Sequence, residues 1–217
     1  MVNLGDTFPN FTVNTTVGPI HFHEWIGDSW VVLFSHPADF TPVCTTELAR
    51  SANLHDEFQC RNVKLIAVSC DSVEAHKHWI TDINFVGNIK EFPFPIISDE
   101  KRELAVMLNM IDPDEKDSKG MPLTARAVFV IDPLKKLRLS ILYPANVGRN
   151  FKEILRVVDA LQLSDKHKVA TPADWKPGNK VMIQPSVPEE ELYKLFPTTE
   201  ITALPSGKRY LRNVQIS

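Results

Sequence analysis

The sequence predicts an α/β fold, a central mixed sheet flanked by helices, with a small domain at its C-terminal end. Three observations predict it. Residues 31–34 and 63–68 are short apolar runs rich in β-branched side chains, the pattern of buried parallel strands. The stretch between them has helical periodicity, so strand, helix and strand form a right-handed βαβ unit. After about residue 165 the chain becomes proline-broken, and the remainder is short for a core of its own. The expected division is 1–165 for the main domain and 166–217 for a C-terminal domain that packs on it or on a partner subunit.

The first strand runs into Ser35-His-Pro-Ala-Asp-Phe-Thr-Pro-Val-Cys-Thr-Thr-Glu47. Thr41 reads as a helix N-cap and Pro42 as the first helical residue, where a missing N–H costs nothing. Cys44 then lies in the first turn. Free backbone N–H groups and the positive end of the macrodipole favour an anion there, so the thiol is biased towards the reactive thiolate. The helix is expected over 44–58, with Leu48, Ala52, Leu54 and Phe58 as its apolar stripe. Asp71 and Ser72 can cap a second helix that ends near Ile83. Two prolines keep 92–97 extended. A short helix at 101–110 turns Leu104, Ala105 and Leu108 inward. Residues 127–131 and 137–143 flank a turn and read as an antiparallel hairpin. After Asn150, an amphipathic helix carries Phe151, Ile154, Leu155, Val158 and Leu161 at helical spacing. The tail offers a linker at 171–178, a strand candidate at 180–183 and a short helix at 188–196. This order is that of a thioredoxin-like fold. It sets Cys44 at the C-terminal end of a strand, where open α/β sheets bind their ligands.

A hydrophobic fraction of 43% suits an ordinary core. A net charge of −3 without a basic block excludes a nucleic-acid surface of the usual kind. No apolar run approaches the roughly 18 residues of a membrane span, so no stable membrane insertion is expected. Met1-Val-Asn-Leu-Gly-Asp6 lacks the basic and apolar segments of a secretory signal, and a cytoplasmic protein is expected. The three cysteines, Cys44, Cys60 and Cys70, are odd in number and form no Cys-x-x-Cys, which argues for free thiols.

The run Thr41-Pro-Val-Cys-Thr-Thr-Glu47, preceded by Ser35-His-Pro37, resembles the active-site loop of peroxiredoxins, in the form of the one-Cys, peroxiredoxin-6-like subgroup. The stretches 27–30, 62–66, 123–126, 139–144, 148–151 and 174–178 resemble that subgroup in order and spacing, so the resemblance spans nearly the whole chain. It implies a thiol peroxidase acting on hydrogen peroxide and organic hydroperoxides, those of phospholipids among the candidates, in antioxidant defence. Cys44 would attack the distal peroxide oxygen and become a sulfenic acid. Thr41 would hydrogen-bond the thiolate and the peroxide, and Arg126 would stabilise the thiolate and polarise the O–O bond. Pro37 would shield the sulfur, Glu47 and Arg149 would orient the arginine, and His36 matches the subgroup's histidine near the sulfur. No metal or organic cofactor is implied. A homodimer is implied, as is an external thiol reductant such as glutathione or the thioredoxin system. No cysteine follows Cys70, so the Val-Cys-Pro motif of two-Cys relatives is missing. Cys70 itself ends a strand beside that of Cys44; Cys60 lies near a helix end.

Two other functions compete with this one. The subgroup also implies a calcium-independent phospholipase A2, for which His23 and Ser29 match. Here the lipase-like pentapeptide reads Gly27-Asp-Ser-Trp-Val31, and the aspartate position falls on Leu134, with Asp132 two residues earlier. The other rival is a non-enzymatic redox sensor or holdase that uses the same Cys44. The pairs His21/His23 and His76/His78 lack a third metal ligand in the sequence, and no metal site is expected.

Overall fold

The computed structural model describes residues 2–216. It opens with a hairpin of β1 (Thr12–Thr15) and β2 (Gly18–His21), followed by the short α1 (Phe22–Ile26). These polar four-residue strands have little apolar alternation, which is why the sequence pattern does not announce them. Next come β3 (Trp30–Ser35), α2 (Pro42–Asn53), α3 (His55–Gln59) and β4 (Val63–Ser69). β3 and β4 pair in parallel, Leu33 opposite Ile66. Every residue of β3 is buried, as a strand covered on both faces must be. The helix expected over 44–58 is two helices. Leu54, at φ −100° and ψ 4°, interrupts it, and its N–H is shared between the carbonyls of Arg50 and Ser51. Leu54 and Phe58 stay buried across the break.

α4 (Val73–Gly87) is capped by Ser72, whose Oγ accepts from the Ala75 N–H at 3.2 Å. It runs a turn past Ile83, to Asn88 in the left-handed conformation. Exposed Phe85 and Val86 break the apolar pattern there and hide the true end. β5 (Ile96–Ser98) pairs in parallel with β4. α5 (Glu103–Met107) is shorter than expected and is held by Asp99, whose carboxylate accepts from the N–H groups of Leu104 and Ala105. β6 (Ile111–Lys116) and β7 (Pro122–Thr124) form a separate small sheet. β8 (Arg126–Ile131) and β9 (Leu137–Tyr143) form the expected hairpin.

The seven-stranded sheet has the order β2-β1-β5-β4-β3-β8-β9 and mixes parallel and antiparallel pairs. Val31, Leu33, Ile66, Val68 and Phe129 join Phe8, Phe22 and Leu104 in one buried cluster. Phe34 instead meets Phe94 and Phe151 edge-on, with centroids 5.8 and 5.2 Å apart.

The chain divides into two compact units, one up to Phe151 and one from Lys152 onward. The second contains nearly all of α6 (Phe151–Lys166), then β10 (Val169–Ala170), β11 (Val181–Ile183), α7 (Glu189–Leu195), β12 (Glu200–Ile201) and β13 (Arg212–Val214). Its strands form a sheet of order β10-β11-β13-β12. Val169, Trp175, Val181, Ile183, Leu192 and Phe196 make a small core, with Ala160 and Leu163 of α6 packed against it. The tail thus has a core because the preceding helix belongs to it. Among the described residues, no helix is long and apolar enough to cross a membrane.

Candidate active site

Pro42 begins α2, and Cys44 is the third helical residue, fully buried. Thr41 has the extended backbone of an N-cap, at φ −114° and ψ 148°, but its side chain does not cap. Its hydroxyl donates instead to the Ala38 carbonyl at 2.9 Å, across the turn before the helix. The expected position holds and the expected cap bond does not. The turn before the helix competes for the hydroxyl.

Arg126 begins β8, far from the motif in sequence, but β8 is the neighbour of β3 in the sheet. Its Nη1–H group reaches the Cys44 sulfur at 3.3 Å and the Glu47 Oε2 at 2.8 Å. Its Nε and Nη2 both donate to the Ala145 carbonyl, at 2.8 and 2.5 Å. Arg149 meets the same carboxylate: its Nη2 donates to Oε2 at 2.7 Å, its Nε to Oε1 at 2.9 Å, and its backbone N–H to Oε1 at 2.6 Å. Its Nη1 ends on the Ala127 carbonyl, and its guanidinium lies over the Phe34 ring. Gly148 precedes it in a tight spot, where a Cβ would meet Val43 Cγ1 at 3.3 Å.

Glu47, Arg126 and Arg149 are all nearly sealed from solvent, with side-chain exposures of 2–3%. One carboxylate faces two guanidinium groups, so the cluster carries one uncompensated positive charge beside a thiol. Burial pushes the Glu47 carboxyl up, but the hydrogen bonds and charge of Arg149, and then of Arg126, hold it below its ordinary range.

Pro37 is buried in the turn after β3, as a shield requires. His36 is fully buried, and its Nε2 lies 2.8 Å from Asp39 Oδ1. The other oxygen of Asp39 lies 2.6 Å from Nδ1 of His76, in the first turn of α4. Asp39 and His76 are not among the residues that the sequence marks for the site. The signal that could have found His76 is its register with Trp79 and Ile83 on the buried face of α4. Trp79 ties the same region to α2: its ring lies 5.0 Å from that of His36, and its Nε1–H donates to Thr45 Oγ1. His78 is exposed, and His76 groups instead with His36 and Asp39.

Cys70 is half-buried, and burial pushes its thiol up to about 11, which leaves it protonated and a poor nucleophile near neutrality. Cys60 is exposed, at the end of α3. The lipase-like residues are not brought together. Ser29 donates to Asn62 Oδ1 at 2.9 Å, while His23 Nε2 lies against the Phe8 carbonyl. Asp132 accepts from the Lys136 N–H and from Arg138, inside its own hairpin, and Leu134 is exposed on that turn. No hydrogen bond links Ser29 to His23 among the described residues.

The chain matches the AhpC/TSA family over residues 4–140 and the C-terminal domain of 1-Cys peroxiredoxin over residues 160–199. It is 63% identical to peroxiredoxin-6 of Homo sapiens over 213 residues, 96% of this chain and 95% of that one. Peroxiredoxin-6 of Gallus gallus is 62% identical over the same shares. A cysteine-to-serine mutant of peroxiredoxin 6 from Arenicola marina has the same fold at a TM-score of 0.98, with 58% identity over 99% of this chain and 98% of that one. A yeast mitochondrial 1-Cys peroxiredoxin, with a thiol resolving mechanism via glutathione/thioredoxin systems, superposes over the whole of both chains at a TM-score of 0.89 and 46% identity.

Proposed function

The chain belongs to the AhpC/TSA family as a one-Cys peroxiredoxin of the peroxiredoxin-6 kind, and from that premise we propose how its residues divide the work. The protein is a thiol peroxidase: it reduces hydroperoxides with electrons drawn from thiols. Cys44 attacks as the thiolate. A sulfur lone pair bonds to the distal oxygen, the O–O bond breaks, and the leaving oxygen departs as water or alcohol with the proton that the hydroperoxide brought. Two electrons pass from sulfur to peroxide, and the sulfenate takes a proton to become a sulfenic acid.

The 3.3 Å contact from Arg126 to the Cys44 sulfur carries this reading. The same guanidinium meets the charge that develops along the breaking O–O bond. Glu47 and Arg149 orient it. Thr41, whose proton is engaged with Ala38, keeps its oxygen free to accept from the hydroperoxide O–H. Pro37 excludes water from the sulfur.

The sulfenic acid is resolved by an outside thiol, which attacks its sulfur, forms a mixed disulfide and releases water; a second thiol frees Cys44. The protonated Cys70 supports this against an internal partner. Glutathione or a thioredoxin system is the proposed reductant, in a cytoplasmic homodimer. β9 is the terminal strand of the large sheet and exposes Leu142, which supports pairing of that edge with a second copy.

The test is single-turnover oxidation by limiting peroxide with mass detection of the product. Cys44→Ser should consume none. Arg126→Ala should slow the step by roughly 10²–10³-fold, the usual cost of losing one preorganised donor. A Cys44→Ser chain as fast as wild type would sink the assignment.

A further inference from the structure

The turn that delivers Thr41 to the site is strained. Phe40 has a φ of 54° and is more than half exposed. A bulky residue adopts the left-handed conformation only where its surroundings over-determine it. The Thr41–Ala38 bond spans the turn from one side. From the other side, Asp39 is fixed at three points. Its backbone N–H donates to Asp71 Oδ2 at 2.9 Å, Oδ1 faces His36 Nε2 at 2.8 Å, and Oδ2 faces His76 Nδ1 at 2.6 Å. Asp71 is itself held by the Ser69 hydroxyl.

The protons of this buried cluster can be assigned from its partners. His76 Nε2 lies 3.1 Å from the Ile97 carbonyl, which only accepts, so Nε2 carries a hydrogen. His36 Nδ1 is buried without a partner. A bare lone pair there is better tolerated than an orphaned N–H, so the His36 hydrogen is on Nε2 and donates to Asp39. Burial, foremost, favours neutral His36. Burial would also push the Asp39 carboxyl up, but the hydrogen bonds from both histidines hold it down and ionised. The 2.6 Å contact from His76 Nδ1 to the ionised Asp39 Oδ2 is then a donated hydrogen bond.

We propose that His76 is a positioning residue for peroxide reduction: by donating to Asp39 it locks the strained turn 38–41 and with it Thr41 and the first turn of α2. The inference rests on Cys44 as the nucleophile. It adds a residue 32 positions away, on another helix, that touches neither sulfur nor peroxide. His36, Asp39 and Asp71 are the titratable partners that face this network, from the turn after β3 and the turn after β4.

The experiment joins proton NMR with stopped-flow oxidation by hydrogen peroxide. Wild type should show a strongly deshielded imidazole N–H signal from the His76–Asp39 bond. Cys44→Ser should keep it, and His76→Asn and Asp39→Asn should lose it. His76→Leu should oxidise roughly tenfold or more slowly, the scale at which lost alignment costs rate. His76→Asn, whose amide N–H can replace Nδ1–H, should recover to within a few-fold of wild type. Should His76→Leu fail to fold, Asp39→Asn provides the slow variant. The proposal falls if the signal is absent from folded wild type, or if His76→Leu or Asp39→Asn reacts at the wild-type rate. If Cys44→Ser still consumes peroxide while the signal persists, the assignment of Cys44 is at fault and the clamp is not.

Discussion

Glu47 is the residue on which the charge balance of the site turns. It joins Arg126 and Arg149 where water cannot screen either. Glu47→Ala should destabilise the fold by about 3–5 kcal/mol, because it leaves two buried guanidinium groups without their anion. Urea titration measures this. The pH dependence has a definite sign. The folded carboxyl is held below its unfolded value, so it adds stability above the unfolded value, and that contribution is lost as pH falls through the depressed folded one. Glu47→Gln should therefore flatten the acid limb of stability against pH below the ordinary carboxylate range. An unchanged acid limb would refute the linkage. At this scale Thr41 and Cys44 are readable from one contiguous motif, because a helix start is short-range, whereas Pro37 needed the resemblance to be named. Asp39 is in the same motif but silent, since its partner His76 is 37 residues away.

At the scale of elements, the sheet places the thiol and its arginine together. β3 and β8 are neighbours, so the residue that opens β8 meets the helix that comes after β3. Parallel buried strands such as β3 and β4 are readable because nearly every position is apolar. β1, β2, β6 and β7 are not, because they are short, polar and defined by their partners. α4 starts on a chemistry that the sequence spells out: Ser72 accepts the Ala75 N–H. Ser72→Ala should cost about 1 kcal/mol of stability. Since α4 carries His76, the same variant should also weaken the deshielded imidazole signal before the protein unfolds. A stability loss within error of zero would refute the contribution of the cap.

Across the whole molecule, the proposed function rests on one redox-active thiol, Cys44, without an internal partner. Excess peroxide should drive Cys44 past the sulfenic acid to sulfinic and sulfonic acids, read as successive mass gains on one peptide. Quantitative recovery of an intramolecular Cys44–Cys70 or Cys44–Cys60 disulfide would contradict this. The protonated state of Cys70 supports the expectation. The unit from Lys152 onward has its own core around Trp175 and Leu192, so its contribution can be tested by substitution there without touching Cys44.

The place of Cys44 in the first turn of a helix, the βαβ frame around it, the hairpin of β8 and β9 and the lack of any cysteine after Cys70 are all legible in the linear chain. Each depends on neighbours within a turn, a period of side chains or a count. The Glu47–Arg126–Arg149 cluster required resemblance to be named at all, and its geometry required the fold. Arg126 is 82 residues from Cys44, and only the β3–β8 pairing brings its guanidinium to the sulfur. The same holds for the disengagement of Ser29 from His23 and for the His36–Asp39–His76 network. Hydrogen bonds between distant side chains leave no periodic trace in sequence; they arise when a sheet and its helices bury polar groups together and each must find a partner.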